Sequence, residues 1–238
     1  EKISNKSKNY ISDCFKEGLK ILNSKQSNII INGPISKRNF LQNKYPGITE
    51  YIYDKAKKKK SNRPVMLIFN KDLSVSPITT HIPLKFVHKK INKKNVVNNV
   101  LNINYFYEKI LKIKPKIAML GLNPHCESKL KYNEEINVII PAIKTLKKKK
   151  VNITGPHSAD TFFLKNNLKN YNSVIGMYHD QVLTPFKTIY GFDASNITLG
   201  LPFLRLSVDH GPNEVMIGKN KSNTKSLENI FNFLVSIK

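Results

Sequence analysis

The chain has 238 residues, 40 % of them hydrophobic, enough for one large packed domain or two small ones. Its net charge of +24 rests almost wholly on lysine, since only Arg38, Arg63 and Arg205 are arginine; lysine scattered among asparagine and isoleucine is what AT-rich codons impose, and it argues against a reader of nucleic acid. No apolar run is long enough to span a bilayer, and the two unpatterned cysteines, Cys14 and Cys126, argue against a disulfide scaffold or four-cysteine zinc site and for a reducing cytoplasm.

Ile11, Cys14, Phe15, Leu19 and Leu22 recur at three- and four-residue steps and predict an amphipathic helix. The β-branched run Ile29-Ile30-Ile31 predicts a buried strand that breaks at Asn32-Gly33-Pro34, after which Ser36 and Lys37 sit in a loop. Thr49 precedes a lysine-rich amphipathic segment, where it either caps the helix or touches a ligand. The runs Lys57–Lys60 and Lys147–Lys150 read as solvated helix ends, where cations suit the dipole. Val65–Phe69 and Leu73–Thr80 are strands, the second running out at His81, while His88 reads as surface. A helical pattern covers Asn95 to Ile113; Ile117–Leu120 is a strand that ends in Gly121-Leu122-Asn123-Pro124-His125.

Glu134 and Glu135 open a helix that Pro141 should kink or start late. Val151–Thr154 begins a strand, His157 reads as loop, and Asp160 is a helix cap or a site acid. Val174–Met177 is a buried strand that meets a polar loop at Tyr178-His179-Asp180-Gln181, and Ser226 to Ile237 is a last amphipathic helix. Strand and helix patterns alternate through most of the chain, which predicts an α/β fold.

Two sets of residues suggest chemistry. His81, His125 and His179 each follow an apolar strand by a few residues. Ligands collect at the carboxyl ends of strands in α/β sheets, so these are either three unrelated loop histidines or an open divalent-metal site. Lys187, Asn196 and Arg205 form the second set, able to hold a phosphate or carboxylate by charge-assisted hydrogen bonds.

Five blocks occur in a characteristic order and spacing: Gly121–His125, Ala159-Asp160-Thr161, Met177-Tyr178-His179-Asp180-Gln181, Asn196-Ile197-Thr198-Leu199-Gly200-Leu201-Pro202, and Ser207-Val208-Asp209-His210-Gly211. By these blocks the chain resembles the 4-hydroxythreonine-4-phosphate dehydrogenases of pyridoxine biosynthesis, from about Asn32 to Gly218. The resemblance implies an α/β/α two-domain architecture related to isocitrate and isopropylmalate dehydrogenases, and a cytoplasmic homodimer with its site at the subunit interface. It implies that His81, His125 and His179 bind a divalent metal (zinc, magnesium or cobalt) shared between subunits, and that Thr49, Lys187, Asn196 and Arg205 contact substrate. The implied reaction is NAD- or NADP-dependent oxidation of 4-phosphooxy-L-threonine at C3, followed by decarboxylation to 3-amino-2-oxopropyl phosphate. Asp160 and Asp180 are the candidate catalytic carboxylates, as the base or as groups that orient a histidine.

The chain departs from the family pattern at Ile48, where histidine is usual, at Cys126–Leu130 in place of a glycine-rich loop, and at Pro212-Asn213-Glu214 in place of a Thr-Ala pair. The family's opening segment, with its Gly-Asp-Pro stretch, does not precede Glu1, so the first domain is expected to be incomplete. The expected division is 1–41 in the first domain, 42–215 in the domain that carries the site, and 216–238 as a helix returning to the first. The Ile48 departure keeps open a dehydrogenase of another phosphorylated four-carbon hydroxy acid, and the charge keeps open a basic RNA-binding module.

Overall fold

The computed structural model describes residues 5–45, 47–56, 63–127, 133–212 and 214–237. The Lys57–Lys60 run, Ser128-Lys129-Leu130 and Asn213 therefore lie outside the described residues. The main elements, in chain order, are α1 (Asn5–Asn23), β1 (Ile29–Asn32), α2 (Ile48–Ala56), β2 (Val65–Phe69), β3 (Ser74–Thr79), α3 (Lys93–Tyr105), β4 (Ile117–Leu120), α4 (Ile140–Lys148), β5 (Ile153–His157), β6 (Ser173–Tyr178), α5 (His179–Tyr190), β7 (Ser195–Leu199), β8 (Leu204–Val208) and α6 (Lys225–Ser236). The strands form one sheet in the order β1-β8-β7-β2-β3-β6-β4-β5. β3, β6, β4 and β5 are mutually parallel, β2 runs antiparallel to β3 and β7, and β8 is antiparallel to β7 but parallel to β1.

Successive strand side chains point to opposite faces, and the buried residues sort accordingly. Leu67, Ile117, Met119, Ile175, Met177, Ile197 and Leu206 join one core together with Val96, Val100 and Ile103 of α3 and Ala142, Ile143 and Leu146 of α4. Ile68, Val75, Ala118, Leu120 and Val174 face the other way, onto Val182 and Phe186 of α5. The result is an α/β/α sandwich. α6 lies with the first core: its Phe233 ring centroid is 5.9 Å from Phe106 and 5.3 Å from Phe69. A separate cluster of Phe15, Phe40, Leu41, Ile48 and Ile52 joins α1 to α2. No described helix is long and apolar enough to cross a membrane, and both cysteines are free.

Several local expectations shift. The helix expected through Ile113 is regular only to Tyr105 and then widens into a π-helical turn over Phe106–Ile110. Pro141 sits in the first turn of α4, behind another such turn at Glu135–Ile139, because proline has no N–H to continue the α-helical ladder. His179 is not in a loop: β6 passes through Tyr178 directly into α5. β5 runs through His157, which is the strand's last residue rather than loop decoration. β7 and β8, which did not stand out in the sequence, alternate polar and apolar residues because one face lines a cavity while Ile197 and Leu206 enter the core.

His157 tests this core. Burial lowers its pKa below the ordinary 6.5, and its Nε2 is 2.8 Å from Thr154 Oγ1. As pH falls through about 6.5 the unfolded chain takes up this proton first, so stability is present above that value and is lost as pH drops toward the lower folded value. The variant His157→Gln should show a shallower fall of melting temperature between about pH 7 and pH 5 than the wild type; parallel curves would contradict this.

Candidate active site

β3 and β6 are neighbours with Thr79 opposite Tyr178, and the Thr79 hydroxyl donates to the Met177 carbonyl at 2.7 Å. The strand tips are thereby locked side by side. His81 follows one tip and His179 the other, and their ring centroids are 5.7 Å apart. His179 Nδ1 is 2.6 Å from Asp180 Oδ1. An ionised carboxylate only accepts, so Nδ1 carries the proton and the Nε2 lone pair is left for a ligand. Burial lowers the His81 pKa below the ordinary imidazole value, and the Lys37 charge adds to the effect. His81 is thus disposed to be a neutral donor, and Asp180 orients the His179 ring.

From these tips a cavity of about 680 Å³ extends over the sheet face beside α5. Its floor follows from strand register. Asn196 pairs with Ile68 and Ser207, and Thr198 pairs with Met66 and Arg205, so all six side chains point to one face. The cavity is lined by Thr49, Asn196, Arg205, Lys187, His81 and His179 among others, which brings together the four expected substrate contacts and two of the three histidines.

Arg205 is only 3 % exposed. Its Nε donates to Asn32 Oδ1 at 2.9 Å, and its Nη1 donates to Thr198 Oγ1 at 3.0 Å and more distantly to Thr49 Oγ1 at 3.5 Å. Burial lowers its pKa to about 10, opposed by the Glu50 charge. Among the described residues no carboxylate forms an ion pair with it. A buried guanidinium whose nearest carboxylate influence, Glu50, makes no salt bridge to it has hydrogen-bonding capacity suited to an anion. Asn196 Oδ1 is likewise buried without a partner, and Lys187 pairs with Asp209, whose side chain is fully buried. Thr49 is the second residue of α2, so it does not cap that helix. Ile48 is buried and lines the cavity, placing an apolar surface at the departure noted above.

His125 stands apart. It follows β4, which pairs with the far side of β6. Its side chain is 73 % exposed and its Nδ1 lies 3.8 Å from Asp160 Oδ2. Hydrogen bonding to Ser158 holds the Asp160 carboxyl below the ordinary range against the opposing effect of burial, and His125 adds to the lowering. His125 and Asp160 do not line the cavity, and among the described residues no group of three His, Cys, Asp or Glu is gathered to hold a metal. One chain therefore supplies two adjacent imidazoles and, elsewhere, a third on display. Two adjacent imidazoles, one of them oriented by the Asp180 carboxylate, fit part of a nitrogen-ligand site for a divalent cation. Asn32, Asp209 and Gln181, now seen to support these residues, had no assigned role from sequence. Asp209 and Gln181 lie inside the quoted blocks, and polar residues at strand ends were the available signal.

The fold and cavity define a class: an α/β/α protein that sets a buried arginine beside an imidazole pair. The same fold occurs in a β-decarboxylating dehydrogenase from Thermococcus kodakarensis, at 11 % identity and a TM-score of 0.56 over 95 % of this chain and 72 % of that one. The chain belongs to the family described as pyridoxal phosphate biosynthetic protein PdxA, whose profile matches residues 1–233. It is 41 % identical to the 4-hydroxythreonine-4-phosphate dehydrogenase of Sulfurihydrogenibium sp. over 91 % of this chain and 66 % of the relative, and 36 % identical to that of Bradyrhizobium diazoefficiens over 83 % and 59 %. The crystal structure of the Klebsiella pneumoniae enzyme of that name superposes with a TM-score of 0.79 at 29 % identity, over 95 % of this chain and 70 % of that one. The chain thus spans about two thirds or less of the length of these curated relatives.

Whether Arg205 receives an anion can be tested without substrate. Arg205→Lys should weaken binding of inorganic phosphate about ten- to a hundredfold, as befits loss of hydrogen bonds to a charged fork worth ~1.5–3 kcal/mol. Calorimetric titration measures this, and unchanged affinity would contradict the reading.

Proposed function

We propose that this chain carries the site of a metal-dependent NAD(P) dehydrogenase acting on 4-phosphooxy-L-threonine in pyridoxal phosphate biosynthesis. The observation that carries the proposal is the buried Arg205, in no ion pair among the described residues, in the same cavity as the His81–His179 pair. An anion binder beside nitrogen ligands suits a substrate that bears a charged group near a reacting alcohol. Family membership supplies the substrate's name.

Arg205, Asn196, Lys187 and Thr49 bind and orient the substrate. Arg205 offers its guanidinium fork to an oxyanion, and the idle Asn196 carboxamide adds polar contact at little cost, because its Oδ1 has no partner to give up. His81 and His179 hold a divalent cation (zinc, magnesium or cobalt), with His125 of a second copy completing the set in a homodimer. Bound together, cation and nicotinamide supply Lewis acidity at the C3 oxygen and a hydride acceptor, the chemistry by which a β-hydroxy acid becomes a β-keto acid and loses carbon dioxide. Asp180 fixes the tautomer of His179, and Asp160 stands at the ring nitrogen of His125. The positions of both carboxylates favour orientation of histidines over direct proton abstraction. The division into 1–41, 42–215 and 216–238, and a cytoplasmic location, belong to the same proposal.

Ile48 favours one second reading. An apolar side chain lines the cavity where the family commonly has histidine, and this suits a phosphorylated four-carbon hydroxy acid with fewer polar groups. Offering both substrates with NAD or NADP and following absorbance of the reduced cofactor separates the two. Turnover of 4-phosphooxy-L-threonine is expected, and turnover of the other four-carbon hydroxy acid phosphate alone would overturn the named substrate.

A further inference from the structure

The His125 turn is held in a conformation its own sequence disfavours. His125 has φ 56° and ψ 13°, and Cys126 follows with φ 58°. Two successive non-glycine residues in the left-handed region cost stability and persist only where the surroundings enforce them. The enforcement is visible. Glu135, 1 % exposed, accepts the backbone N–H of Leu122 at 2.7 Å and of Asn123 at 2.8 Å on Oε1, and the Asn123 side-chain amide at 2.8 Å on Oε2.

From the opposite side Gln181 donates to the Gly121 carbonyl at 2.7 Å, and its own oxygen accepts the Met177 N–H at 2.6 Å. Gly121 has no room for a side chain: a Cβ would sit 2.6 Å from Cys126 Sγ and 3.0 Å from Glu135 Oε1. Burial alone would push the Glu135 carboxyl up, but the hydrogen bonds from Asn123 and Leu122 outweigh it and hold the group ionised. A buried charge is costly; among the described residues Glu135 has no salt-bridged cation, and its hydrogen bonds converge on Leu122 and Asn123, just ahead of His125.

We propose that Glu135 is a positioning residue for His125: its carboxylate clamps the Leu122-Asn123 backbone so that the strained turn presents the imidazole outward, toward the cation site of a second copy. Gln181 ties the same turn to the tip of β6, so the positions of His125 and His179 are set by one connected framework. The inference rests on the metal-site reading above and goes beyond it in naming the group that fixes the third ligand.

Cobalt(II) titration of the chain, together with steady-state kinetics, tests it. Glu135→Ala should weaken cobalt binding about ten- to a hundredfold, the usual effect of losing a group behind a ligand. It should lower kcat with KM changed less than about twofold, because the expected substrate contacts line a cavity that neither Glu135 nor His125 lines in the same chain. If Glu135 acts through His125, the double variant Glu135→Ala/His125→Ala binds cobalt no more weakly than His125→Ala alone. Wild-type cobalt affinity in Glu135→Ala, or losses that multiply in the double variant, would overturn the inference. Should the alanine variant fail to fold, Glu135→Gln keeps one oxygen for the two backbone donors and turns an NH₂ toward the Asn123 amide. A partial loss of cobalt affinity is then expected, and wild-type affinity would overturn the inference. A wild type that takes up no cobalt sinks the metal-site reading as well, whereas normal uptake by the wild type and by the Glu135 variants sinks the clamp alone.

Discussion

The parallel pairing of β3 with β6 is the constraint on which the site depends. Thr79 opposes Tyr178, and the Thr79 hydroxyl holds the Met177 carbonyl at 2.7 Å. A slip of one residue would turn every side chain of β3 to the other face and carry His81 away from His179. The register is strongly specified because β6 is buried along Ser173–Met177 and is flanked by β3 on one side and β4 on the other. Buried hydroxyls add polar specificity at the strand starts, where Ser74 and Ser173 lie 2.9 Å apart and the Tyr107 hydroxyl donates to the Asn172 carbonyl at 2.8 Å.

The electrostatics of the cavity follow from the same sheet. Its walls carry Arg205, two lysines and three histidines against two carboxylates, Asp180 and Asp209, of which Asp209, its side chain fully buried, meets Lys187. An arginine almost wholly removed from water, held by neutral oxygens of Asn32 and Thr198, is poor value for stability alone. It becomes intelligible when an anion completes its hydrogen bonding. The +24 net charge of the whole chain adds a field that draws anions in, but it is general, whereas Arg205 is local.

The layers of the fold were legible because Val65–Phe69, Ile117–Leu120 and Val174–Met177 are apolar runs of strand length, and α1 and α6 show clear helical periodicity. β7 and β8 escaped because Asn196, Thr198, Arg205 and Ser207 occupy alternate positions that a half-buried strand would give to solvent, while here Asn196, Arg205 and Ser207 line a cavity and Thr198 is buried against Arg205. Their period of two was nonetheless present. His179 and Asp180 were legible as residues beyond a strand tip, but their place in the first turn of α5 was not, since β6 joins α5 without an intervening loop. Arg205 and Asn32 are 173 residues apart in the chain, and such pairings leave no trace in a single sequence. Glu135 looked like an acid suited to a helix N-terminus, and only its contacts with Leu122 and Asn123 reveal its second use.

The central claim is that one cation is shared by two imidazoles of one copy and the third imidazole of another. Mixing chains tests it most directly. His125→Ala and His179→Ala chains, each deficient alone, should regain one cobalt-binding, substrate-oxidising site per mixed dimer when unfolded and refolded together, since one of the two sites then draws only intact ligands. No recovery in mixtures that demonstrably contain both chains would contradict the shared site and place all three ligands within a single copy.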